Sequence, residues 1–252
     1  MKATIPRVKS VYYLAGALAC LAVATAPLPA APSGQAKRPF VPTSEYETRS
    51  VEGWSVRVNR KLLGERKDLG ERALRLLDTK LYEIGRTVPD AAVARLRQVP
   101  IWLGVDDGHA PCAEYHPSRR WLQENGYNPD KAKGVEIGNA ERFLAWSKSQ
   151  PSMVLHELAH AYHDQVFGYD EPRIRAAYEA AKQAGSYESI LHINGKMQRH
   201  YALTNPAEYF AEGTEAYFGT NDFYPFVRAE LQRHDPALAT LLGEVWSGPP
   251  TR

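Results

Sequence analysis

Apolar and polar residues alternate through Trp54-Ser55-Val56-Arg57-Val58, the period of a strand with one face in a core. From Leu69 to Ile84 the spacing changes, and Leu74, Leu76, Leu77 and Leu81 recur at helical intervals. A second strand is expected over Val99 to Val105, short and apolar beside Pro100 and ended by the turn cluster Asp106-Asp107-Gly108. Residues 106–133 show neither period and read as a long irregular segment. Gly134-Val135-Glu136-Ile137-Gly138 alternates again and reads as a third strand.

The second half is mainly helical. Ser152 is placed as the N-cap of a helix running to about Phe167 and stopped by Gly168, and Pro172 to Ala184 supplies another. Asn194-Gly195, the dipeptide typical of a tight hairpin turn, separates Ile190-Leu191-His192-Ile193 from Lys196-Met197-Gln198. Asn205-Pro206 starts a further helix to about Phe218, and Asp222 to Leu242 adds one or two more. A small N-terminal sheet followed by a helical half defines the α+β class.

The N-terminus changes this picture. Lys2, Arg7 and Lys9 precede an uncharged apolar run from Val11 to Ala26 and a small-residue stretch to Ala36, the order of an export signal. The run is shorter than the roughly 20 residues of a spanning helix, and Pro27, Pro29 and Pro32 follow it, so a cleaved leader is expected rather than a stable membrane span. Cleavage at Ala30 or Ala36 avoids the prolines that follow Ala26 and Ala31. A lipoprotein-type cleavage before Cys20 is disfavoured because the apolar run continues beyond it. The expected organisation is a signal peptide over 1–36, a flexible lead-in over 37–50 and one domain over 51–252, in a secreted or periplasmic (cell-envelope) protein.

The whole chain carries a formal charge of +2, and removing the leader's three basic residues leaves −1. That is not the basic surface that nucleic-acid binding demands. Cys112 is the sole cysteine outside the leader, so stability is expected from a core or a metal and not from an internal disulfide.

The chemistry centres on His156-Glu157-Leu158-Ala159-His160. Two histidines four positions apart lie one turn above each other on one helix face, and both imidazoles can reach one ion. In a catalytic zinc site, protein side chains fill three positions and water the fourth, and a neighbouring glutamate is placed to take that water's proton. Val154, Leu155, Leu158, Ala159 and Ala161 make the helix largely buried, and buried histidines need partners. His163 continues the same face, but about 10.5 Å of helix rise separates it from His156, so one ion cannot bind both, and it reads as a supporting or rim residue. The metzincin pattern would place Gly at 163 and His at 166; this chain has His163 and Val166.

A third ligand must come from elsewhere. Glu208, Glu212 and Glu215 recur at helical spacing within the Asn205–Phe218 segment. Glu208 at N3 can bind the metal, or it can reach back to the Asn205 amide in a capping box and leave the ion to Glu212. In the first case Glu212 is expected to orient a metal-bound histidine.

The histidine motif, followed by Tyr201-Ala202-Leu203-Thr204-Asn205-Pro206-Ala207-Glu208-Tyr209-Phe210-Ala211-Glu212, resembles the catalytic core of the anthrax lethal factor type of gluzincin peptidase. The resemblance covers roughly residues 150–218 and does not extend to the toxin's receptor-binding or substrate-docking parts. It implies a zincin-like fold, one catalytic Zn2+ held by His156, His160 and Glu208, and Glu157 as general base. It further implies that Tyr201 is the phenol donating to the oxyanion and that the substrate is a peptide or protein. Two other functions share these residues: a zinc-containing binding or scaffold protein without turnover, and a hydrolase of a non-peptide amide.

Other features are weaker. The 134–138 strand is either internal or an edge that an extended peptide joins by strand addition. His109, Cys112 and His116 are all metal-binding types, though their scatter in a proline-broken loop favours coincidence. Arg119-Arg120 reads as a solvated basic turn, and Trp121, Tyr127, Trp146 and Tyr162 as core or cleft wall.

Overall fold

Strands Tyr46–Val51 (β1) and Trp54–Asn59 (β2) pair antiparallel across Glu52-Gly53, both at positive φ, 49° and 85°. Positive φ at both turn residues suits the right-handed twist of the strands it joins, and glycine carries the second without strain. The computed structural model describes residues 39–247, apart from 107 and 111. The proposed export signal lies outside these residues. The flexible lead-in expected to residue 50 is corrected here: Tyr46 onward is strand, and Asn128 ties down Val41 by donating to its carbonyl.

The chain continues through helices Arg60–Leu63 (α1), Lys67–Thr87 (α2) and Asp90–Leu96 (α3) to strand Ile101–Leu103 (β3). Residues 106–133 are irregular only in part. They hold strand Ala113–Tyr115 (β4), helix Arg119–Asn125 (α4) and a 3-10 turn at Pro129–Lys131. Three-residue strands and two-turn helices are too short to show a period. Strand Val135–Ile137 (β5) and helix Ala140–Trp146 (α5) follow.

The sheet order is β1-β2-β3-β5-β4, with β2, β3 and β5 parallel and both edges antiparallel. Register aligns Val56, Ile101, Val135 and Tyr115 in one row and Val58, Leu103, Ile137 and Ala113 in another. Both rows belong to the main core, together with Ala73, Leu77 and Leu81 of α2. The intervening row, Arg57, Trp102, Glu136 and Glu114, faces the other way, with Arg57 stacked 4.4 Å over the Trp102 ring. The 134–138 strand is thus internal, lying between β3 and β4, and the edge beside the helical half is β4.

Helix Met153–Tyr162 (α6) is buried at every position and passes into a π-helical turn at His163–Phe167. Ser152 precedes it without capping it; its hydroxyl instead donates to the Thr220 carbonyl and accepts from the Thr220 amide. Helix Pro172–Ala184 (α7), the hairpin of Ile190–Leu191 (β6) and Met197–Gln198 (β7), a 3-10 turn at Tyr201–Thr204 and helix Pro206–Phe218 (α8) come next. Gly195 takes φ 83° at the hairpin turn. Arg228–His234 (α9) and Pro236–Trp246 (α10) close the described chain. Trp246 stacks on Tyr162 at 4.2 Å and lies parallel to Phe210 at 5.9 Å, which locks α10 against α6 and α8. No helix among the described residues is long and apolar enough to cross a membrane.

Candidate metal centre

Two helices build the site. On α6, the four-residue spacing puts His156 and His160 on one face, with their Nε2 atoms 3.1 Å apart. On α8, Asn205 caps the helix by accepting from the Ala207 and Glu208 amides at 2.8 and 3.0 Å, so Glu208 enters the first turn beside those histidines. Its Oε2 lies 3.0 Å from Nε2 of His156 and 3.3 Å from Nε2 of His160. The carboxylate that a capping box would turn back on Asn205 is directed at the histidines.

Behind His156 the expected partner changes. Nδ1 lies 2.7 Å from Oε1 of Glu215 but 3.8 Å from Oε1 of Glu212, so the residue orienting this imidazole is Glu215 and not Glu212. Glu208, Glu212 and Glu215 share one face of α8 by their spacing, and the packing against α6 selects Glu215 for this contact. Burial raises the Glu212 carboxyl well above its ordinary value, and the charges of Glu215 and Asp222 push it the same way. Burial also lifts Glu215, to about 7, against the pull of His156.

Burial disfavours charge on His156, yet the hydrogen bonds of Glu208 and Glu215 carry it well above the usual imidazole range. Glu208 stays below the carboxylate range although burial opposes this, because His160 and His156 hold it ionised. The pocket therefore favours positive charge at His156. An Nδ1–H donated to Glu215 leaves Nε2 of His156 with a bare lone pair. That lone pair then faces a second imidazole nitrogen and a carboxylate oxygen at 3.0–3.1 Å, which only a shared proton or a cation reconciles. The residues fit zinc: ligand atoms about 2.0–2.1 Å from a tetrahedral ion lie about 3.3–3.4 Å apart. The three separations here fall within a few tenths of an ångström of that.

Glu157, 2% exposed, follows His156 on α6, and its Oε2 accepts from the backbone amide of Tyr115 at 2.8 Å. That contact has no sequence signal, because a three-residue strand such as β4 is too short to show a period. Tyr201 opens the 3-10 turn ahead of α8. Burial and then the charge of Glu208 raise its phenol, His156 opposes them, and Glu212 and Glu157 add to the rise, so it is a protonated donor within the field of the site. Tyr169, at the far end of the π-helical turn, feels Asp164, Glu157 and Glu208 in the same way after burial.

No known protein family matches the chain, and no curated protein or solved structure matches it either. The site must be read from its own geometry.

The remaining expectations separate. His163 is fully buried between the rings of Tyr169 and Phe210, and burial lowers it to about 3, so it is a neutral interior residue and not a rim residue. Cys112 packs its sulfur 3.4 Å from Met153 in the core, whereas His116 bonds Glu136 at 2.7 Å on the outer row. Among the described residues only two groups have ligand atoms close enough to share an ion, His156/His160/Glu208 and His156/Glu212/Glu215, and neither includes His109, Cys112 or His116. Arg119 pairs with Asp130 and Arg120 with Glu124 at the surface.

Proposed function

We propose that this chain is a zinc-dependent metallopeptidase of the gluzincin type with a zincin-like fold, acting after export. The observation that carries this reading is the convergence of three buried ligand atoms, from His156, His160 and Glu208, next to a buried glutamate on the same helix. Bound zinc supplies Lewis acidity, which lowers the pKa of water and polarises a carbonyl.

The protein's residues do the rest. His156, His160 and Glu208 would hold the ion, with Glu215 accepting from Nδ1 of His156 and so fixing its tautomer. Glu157 takes a proton from water and returns it to the leaving amine, and Tyr201 donates its phenolic proton as a hydrogen bond to the carbonyl oxygen as negative charge develops there. A peptide substrate follows from the joint likeness of the histidine motif and the Tyr201-to-Glu212 stretch to gluzincin cores.

A peptide-library digest tests the proposal. Cleavage that stops with chelator, returns with stoichiometric zinc and is absent in Glu157→Gln is expected. Chelator-insensitive cleavage, or no cleavage by protein carrying one zinc per chain, would overturn it.

A further inference from the structure

Tyr115 is held at both ends by the helix that carries the site. Its amide donates to Oε2 of Glu157, and its phenol donates to Oδ2 of Asp164 at 2.6 Å. The two acceptors are seven residues apart, two turns and about 10 Å of rise between their backbones, a gap bridged by the tyrosine together with the two carboxylate side chains. Asp164 and Gln165 lie in the π-helical turn, whose wider winding sets where their side chains emerge. Gln165 donates to the Tyr115 hydroxyl at 3.1 Å and to the Lys133 carbonyl at 3.3 Å, while Lys133 pairs with Asp164 at 2.5 Å.

Lys133 is itself unusual, a non-glycine residue at φ 61° two positions before the start of β5. Such a conformation persists where surrounding contacts over-determine it. Here those contacts are Asp164, Gln165 and the bond from its own amide to the His116 carbonyl at 2.7 Å. The π-helical turn therefore clamps the end of β4 and the start of β5 at a fixed height along α6. A helix docked on a sheet by apolar packing alone needs none of these four polar contacts.

We propose that Asp164 and Tyr115 are positioning residues, and that their hydrogen bond sets the Tyr115 amide on Oε2 of Glu157 and so orients this carboxylate. This rests on the peptidase reading only for the rate effect; the geometric claim stands apart from it. With Oε2 occupied by the amide, Oε1 is the oxygen left for proton transfer.

The test uses zinc-loaded, full-length protein as wild type, Tyr115→Phe, Asp164→Ala, Asp164→Asn and Glu157→Ala. Three quantities are read: zinc per chain, kcat and KM on a cleaved peptide, and hydrogen exchange of the backbone amide at position 115 in uniformly 15N-labelled protein. In Tyr115→Phe and Asp164→Ala, amide exchange should accelerate toward the rate in Glu157→Ala. In the same variants kcat should fall on the order of 10–100-fold, with KM within about twofold and zinc retained. Asp164→Asn keeps an acceptor for the phenol and should restore most of both quantities, which a merely charge-based role would not do.

Unchanged exchange of the amide at position 115 in both variants overturns the inference, as does a fall in kcat matched by a rise in KM. Should no peptide be cleaved even by wild type, the peptidase reading fails, and the exchange series alone decides the positioning claim. If Asp164→Ala does not fold, Tyr115→Phe, which removes only one oxygen, carries the test.

Discussion

Four acidic side chains surround the two site histidines, and their geometry assigns them separable roles. Glu157 faces the Tyr115 amide, Glu208 the Nε2 atoms, Glu215 the Nδ1 of His156, and Glu212 none of these within hydrogen-bond distance. Glu157→Gln should keep one zinc per chain while cutting kcat by roughly 10²–10⁴-fold, the usual contribution of a general base. Metal titration should show Glu208→Ala losing tight zinc binding outright and Glu215→Ala weakening it by about 10–100-fold, the range for a residue that orients a ligand. Glu212→Gln should leave zinc affinity nearly unchanged, since a carboxyl that burial already holds toward its neutral form loses little by becoming an amide. Equal loss in Glu208→Ala and Glu212→Ala would contradict the ligand set.

At the level of elements, α8 depends on its first turn. Asn205 accepts from two backbone amides, one of them Glu208's, so it both starts the helix and fixes the height at which Glu208 meets α6. Asn205→Ala should lower stability by about 0.5–2 kcal/mol and weaken zinc binding together, measured by thermal unfolding and metal titration. A loss of stability with zinc affinity intact would uncouple the cap from the ligand.

The sequence made this part of the protein readable because its signals are local: four-residue histidine spacing, an Asn-Pro helix start and an Asn-Gly turn. The long helix α2 was legible from its leucines for the same reason. What escaped was short or non-local. Strand β4 spans three residues, α3, α4 and α5 seven each, and no seven-residue window shows a reliable helical period. Glu215 was visible on the right face of α8, but its partner is 59 positions away, and only the packing of α6 on α8 decides which carboxylate reaches Nδ1. The internal place of β5 likewise depends on the order in which strands assemble.

For the molecule as a whole, two histidines buried without charge contribute to the response to acid. His163 and His200 are both lowered to about 3 by burial, against an ordinary 6.5. A depressed folded-state value means the unfolded chain takes up a proton that the folded protein refuses. Their contribution to stability is complete above about 6.5 and is lost as pH falls from there toward about 3, at up to about 1.4 kcal/mol per pH unit for each. Neither ring nitrogen of His163 has a hydrogen-bond partner, and its neighbours are aromatic rings, so His163→Phe should flatten the fall in melting temperature between pH 7 and pH 5. An unaltered pH profile in this variant would place the acid sensitivity elsewhere.

The residues that converge at the centre come from α6 and α8, and His156 and Glu208 are 52 positions apart. An ion gripped by both helices is therefore a cross-link that closes a long loop containing α7 and the β6–β7 hairpin, and it removes freedom from the unfolded chain as a covalent staple does. Such a bond would be reversible, so the strength of the staple would depend on free zinc, adding about 2.7 kcal/mol with the ion at a hundred times its dissociation constant. Trypsin offered the metal-stripped protein should cut first within that loop, at exposed Lys196 or Arg199 on the hairpin, while α2 and the sheet survive. The metal's supply would then set how long the protein lasts in a protease-rich environment, as well as whether it works there.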